Sequence, residues 1–141
     1  MRALIAFLLM ASLPQLPAED NIWAALVLST NENPPREVPR KLQDFAPAIK
    51  DVFGYNSLYL LGQKKQPISA WSSDWLVPSS DFFFHITSLE QEPACYRVLI
   101  ELFRGKSLLL TAEVRLARNA PLFIRGPLWG QGQLVLLLEV R

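Results

Sequence analysis

Apolar positions along the chain repeat with two periods, three to four residues in one early stretch and two over most of the remainder. Residues 22–30 are almost continuously apolar, with β-branched and aromatic members. They are too few for a typical helix and end at the turn-rich Asn31-Glu32-Asn33-Pro34-Pro35, which predicts a buried strand. From 37 to 53 the apolar residues Leu42, Phe45, Ala46, Ile49, Val52 and Phe53 fall three and four apart, opposite Arg40, Lys41, Gln43, Lys50 and Asp51. That spacing predicts one amphipathic helix. Pro39 suits its first turn and Gly54 its C-terminal cap. Pro47 lies inside the pattern, where it removes a hydrogen bond and clashes with the preceding turn, so the helix is expected to kink or divide there.

Beyond Gly54 the period is two. Residues 57–63 predict a strand, 67–71 and 75–77 short or edge pieces, and 81–88 an aromatic strand holding Phe82, Phe83, Phe84 and His85. Residues 95–103 and 107–117 predict longer strands joined through Arg104-Gly105-Lys106. In the second, Leu108, Leu110, Ala112, Val114 and Leu116 share a face opposed by Thr111, Glu113 and Arg115, the alternation of a sheet with one wet side. Residues 121–125 and 133–140 complete the set, and the unbroken run 134–138 fits a strand that is central or covered on both sides. The expected fold class is α+β. One kinked amphipathic helix would pack on a mostly antiparallel, twisted sheet of about six to eight strands, β-α-β followed by a meander.

The first eighteen residues change the size of the body that must fold. Met1 and Arg2 give a positive start, residues 3–11 an apolar run, and 12–18 a Pro-containing stretch ending in the small Ala18, the order of a secretory signal peptide. The run is about half the roughly 20 residues that a membrane-crossing helix needs. Cleavage after Ala18 would leave one domain, 19–141, exported to the periplasm or the extracellular space. Removing Arg2 and no acid leaves 13 basic and 13 acidic side chains, a neutral body with no electrostatic reason to seek nucleic acid. No membrane span is expected after signal removal, since nothing that follows approaches 18 continuous apolar residues.

The reactive side chains are few. Cys95 is the one cysteine, so no intramolecular disulfide framework exists; it reads as a small apolar strand residue, or as a thiol that reacts or bridges between chains. His85 is the one histidine. With no clustered ligand spacing, no metal and no cofactor are expected. Asp74 and Asp81 flank one turn, and Glu90 and Glu92 sit in another, where acids are usually solvated; paired carboxylates of this kind could also serve a hydrolase. Ser29-Thr30 and Ser79-Ser80 lack a nucleophile-elbow setting. Gly126, Gly130 and Gly132 precede a strand and read as backbone devices, not as a phosphate loop.

Trp71, Trp75 and Trp129 lie in or beside predicted loops, with Tyr55 and Tyr59 near the helix end. Flat aromatic rings at loops can stack on a sugar or anchor a partner protein, and they also fill cores. The segments Val52-Phe53-Gly54-Tyr55-Asn56, Tyr59-Leu60-Leu61-Gly62, Arg125-Gly126-Pro127 and Gly132-Gln133-Leu134-Val135-Leu136 resemble those of short exported, functionally uncharacterised bacterial envelope proteins of Gram-negative cells. The resemblance covers residues 52–62 and about 107–138. It implies an envelope location and an α+β fold and brings no catalytic residue. The expected function is therefore a non-enzymatic exported domain for protein interaction or envelope assembly, with envelope proteins or a homo-oligomer as partners. A small-ligand or carbohydrate-binding module using the loop tryptophans is the alternative, and a hydrolase on Asp74, Asp81 or His85 comes third.

Overall fold

The structure, a computed structural model, describes residues 20–68 and 74–141. The expected signal peptide, residues 1–18, lies outside the described residues. The first strand, β1 (Asn21–Thr30), is apolar on both faces because both are covered. Ile22, Ala24 and Leu26 enter one core while Trp23, Ala25 and Val27 enter another, and all six are buried. The chain then passes through a 3-10 turn (Arg40–Leu42) into α1 (Ala46–Phe53). Pro47 falls in the first turn of α1, where its missing N–H would have had no intrahelical partner. Gly54, at φ 77°, ends the helix and donates its N–H to the Lys50 carbonyl at 2.9 Å. The division expected at Pro47 thus takes the form of a short 3-10 turn and a separate eight-residue helix.

Seven further strands follow: β2 (Ser57–Pro67), β3 (Asp74–Val77), β4 (Phe83–Gln91), β5 (Cys95–Arg104), β6 (Ser107–Ala117), β7 (Leu122–Trp129) and β8 (Gly132–Val140). They form two four-stranded antiparallel sheets with the orders β2-β1-β8-β7 and β3-β4-β5-β6. Between the sheets, Leu26, Leu134, Leu136 and Leu138 meet Trp75, Phe84, Ile100 and Leu102 in one buried core. On the far side of the first sheet, Leu42, Phe45, Ala46 and Ile49 cover Trp23, Val135 and Leu137, with Trp23 stacked on Phe45 at 5.4 Å.

The expected α+β architecture is therefore corrected. The fold is β-dominated, a face-to-face pair of sheets with one helix on one outer face. One sheet under one helix would leave an apolar face of β1 and of β8 in water. The second sheet buries that face, and β8 is central and covered on both sides.

The start of β1 is held by side chains as well as by the ladder. Asp20 accepts hydrogen bonds from the Tyr96 hydroxyl and from Arg118 Nε and Nη2, at 2.9 and 2.6 Å for the two nitrogens. The Arg118 bonds hold the Asp20 carboxyl below its ordinary 3.8, with the Tyr96 hydroxyl helping and partial desolvation opposing. Burial, then the same carboxylate, pushes the Tyr96 hydroxyl up. A carboxyl whose folded-state value is lowered contributes stability that is present above 3.8 and lost as pH falls through the lower value. Stability is thus expected to fall on acidification below about pH 4, part of it through Asp20. Asp20→Ala, which leaves the buried Tyr96 hydroxyl without its acceptor, should cost about 1 to 3 kcal/mol at neutral pH. It should also flatten the acid limb in urea titrations run at several pH values; an unchanged acid limb would remove Asp20 from the cause.

Candidate functional site

Three chain reversals meet at one end of the paired sheets. Residues 78–82 join β3 to β4, Gly105-Lys106 joins β5 to β6, and Gly130-Gln131 joins β7 to β8. Gly105 and Gly130 take φ values of 57° and 56°, which two-residue hairpin turns with the sheet's own twist require. Beside two of these turns the ladder slips by a bulge. Leu102 pairs with Leu110 but Phe103 pairs with Leu108, so Leu109 is the extra residue and Leu108 shares the outer side with Phe103. The second slip, between Arg125 and Leu128, leaves Leu128 73% exposed.

The result is a concentration of apolar surface. Phe83, Phe103 and Leu108 form one rung across β4, β5 and β6, with Leu76 beside it on β3. Of the six large hydrophobic side chains that are exposed among the described residues, four belong to this surface, Leu76, Phe83, Leu108 and Leu109, whereas Leu128, opposite Gln133, faces the helix side of the first sheet. Two depressions share Phe83. A cleft of about 620 Å³ is lined by Ser80, Asp81, Phe83, Arg104, Leu109 and Trp129, and a groove of about 430 Å³ by Lys64, Leu76, Pro78, Phe82 and Phe83. Trp129 is fixed from two sides, by the edge of Phe82 at 5.0 Å and by the Arg104 guanidinium 4.2 Å from its ring centre. Arg104 at the cleft and Lys64 at the groove give the lining two positive charges against the single carboxylate of Asp81.

The sequence-expected site residues separate. Trp75 points into the core between the sheets and is 5% exposed, Trp129 stands at the apolar end, and Trp71 lies outside the described residues. Tyr55 follows the helix cap. Tyr59 lies on the edge strand β2, where its hydroxyl donates to the Glu32 carboxylate and Arg36 covers its ring at 4.0 Å. Neither tyrosine lines the cleft or the groove. Of the four that are described, only Trp129 therefore belongs to the apolar end. Its other apolar members, Leu76, Phe82, Phe83, Leu108 and Leu109, are not among the sequence-expected site residues. The available signal was the presence of large apolar residues directly beside turn residues, where polar ones are the rule.

Apart from Asp81, the candidate reactive groups lie elsewhere. His85 Nδ1 is 3.3 Å from Glu101 on the outer face of the second sheet, and the cleft that Asp81 lines does not include His85. The side chain of Asp74 is outside the described part of the molecule. Cys95 Sγ donates to Glu92 at 3.2 Å, and this carboxylate, with some help from desolvation, pushes the thiol up. A thiol held protonated in this way is a poor nucleophile. No three His, Cys, Asp or Glu side chains gather as a metal-binding group among the described residues. Comparison with known proteins finds no matching family model, no matching curated protein and no matching solved structure.

Proposed function

We propose that the protein is an exported, non-catalytic interaction domain that holds an apolar segment of another protein against the end of its sandwich. Export rests on the order of charge, apolar run and small residue in the first eighteen positions. The interaction rests on one observation, the gathering of Leu76, Phe83, Leu108 and Leu109 on one surface. A monomeric body that exposes a contiguous apolar patch loses free energy to water there, and covering it is favourable at about 25 cal/mol per Å². The basic rim selects among apolar segments. A partner segment with acidic residues flanking its apolar centre meets Arg104 and Lys64, whereas a basic one is repelled.

Fluorescence anisotropy with short labelled peptides of one apolar centre and either acidic or basic flanks tests this reading. Acidic flanks should bind more tightly, and the double variant Phe83→Ser/Leu108→Ser should weaken binding about tenfold or more, the scale of losing a central apolar anchor. Because both side chains are about half exposed, the same variant should melt close to the wild type. Equal binding by wild type and variant, or tighter binding of basic flanks, contradicts the proposal.

A further inference from the structure

Strand β6 closes one margin of the second sheet, and among the described strands only β5 pairs with it. Its inner-face residues Leu110, Ala112 and Val114 are only half-buried, while the inner residues of β4 and β5 beside them, such as Ile86 and Ile100, are fully buried. The free edge is eleven residues long and carries no proline. Natural edges of this kind are often blunted by lysines, which repel a second copy. Here the two charges are Glu113 and Arg115, of opposite sign and two residues apart on the same outer face.

That arrangement is self-complementary under a two-fold axis. When two antiparallel copies of β6 meet with Val114 opposite Val114, Glu113 of each faces Arg115 of the other, and Ala112 of each faces Leu116 of the other. Arg115 lies directly opposite Arg97 in the ladder, a like-charge pair that cross-strand neighbours avoid. Glu92 reaches Arg115 at 3.3 Å from the strand end and Glu113 reaches Arg97 at 2.8 Å on the diagonal, so no carboxylate of the same chain stands across from Arg115 in the ladder. A second copy supplies one in register.

We infer that β6 pairs antiparallel with β6 of a second copy over residues 111–117, joining two four-stranded sheets into one of eight strands. The register leaves Leu76, Phe83 and Leu108 outside the contact, so each copy keeps its apolar end, and the inference stands independently of the proposed function.

Sedimentation velocity on the folded protein tests it. Wild type should sediment as a dimer. Glu113→Arg places Arg against Arg across the axis and Arg115→Glu places Glu against Glu, so each variant alone should sediment as a monomer. Mixed in equal amounts they should form a dimer, because a chain with two arginines at 113 and 115 then faces a chain with two glutamates. Recovery in the mixture also demonstrates that both variants are folded. A monomeric wild type, variants that still dimerise alone, or a mixture that stays monomeric each overturns the inference; the first would leave the edge to a strand from a different protein.

Discussion

Gly62→Val is expected to destabilise the protein by about 3 kcal/mol or more and to leave a large fraction unfolded at moderate urea. A Cβ on Gly62 would stand 1.9 Å from the Pro78 carbonyl oxygen and 2.9 Å from its carbon. Both are backbone atoms, so no rotamer change makes room, and either β2 or the reversal between β3 and β4 must move. Gly62 sits where β2 slips register, between Leu60 opposite Val27 and its own pairing with Leu26. The slip and the missing side chain together let an edge of the first sheet touch the reversal that carries Phe82 and Phe83. Gly54→Ala is the contrasting change, since its Cβ meets nothing within 4 Å and only the φ of 77° resists it. It should cost about 1 kcal/mol. Urea midpoints measured for both variants, with the slopes compared, separate the two causes. A Gly62→Val protein with a wild-type midpoint would mean that the two sheets do not approach there.

The second large effect is expected at Leu136. It is fully buried in the middle of β8, between Leu26 of β1 and Ile124 of β7, and it faces the core between the sheets. Leu136→Ala should lose about 2 to 5 kcal/mol, the transfer free energy of the lost methyl groups plus the cavity left behind. Leu137, its neighbour, is as deeply buried but faces α1. Leu137→Ala should therefore be destabilising too and should also loosen the helix, which hydrogen exchange at the amides of residues 46–53 would register. If Leu136→Ala unfolded with the wild-type midpoint, the second sheet could not be packed on the first.

The sequence carried the strands better than it carried their assembly. Apolar alternation marks which side of a strand is buried, and it did so for most of β6. It does not say which strand lies alongside, or that a chain of consecutive strands will leave one sheet and enter another. The clue was in β1 and β8. Two strands apolar on both faces need cover on both sides, and a single short helix supplies only one. Trp75 is expected in or beside a loop, but its own alternation with Leu76 and Val77 places it inward opposite Ile86.

The apolar end was hidden for a different reason. Leu108 reads by simple alternation as a companion of Leu110, Ala112, Val114 and Leu116 on the inner face. The bulge at Leu109 turns it to the outer face beside Phe103, and nothing in the residue types announces an inserted position. The same holds at Leu128, where the slip after Arg125 decides exposure. Of the residues first considered, Trp129 belongs to this end because it closes a hairpin whose partner strand is buried. Tyr59 and Tyr55 lie away from the cleft and groove because they serve the helix side and the β2 edge.

Cross-linking from inside the apolar end tests the proposed role most directly. A photoreactive phenylalanine analogue at position 83, with one at the more exposed Val52 on α1 as control, can be activated in cells that make and export the protein. The proposal predicts a discrete adduct with a different protein from position 83, lost when Leu108→Ser is added, and no such adduct from position 52. The same adducts from both positions, or none from position 83, would contradict it.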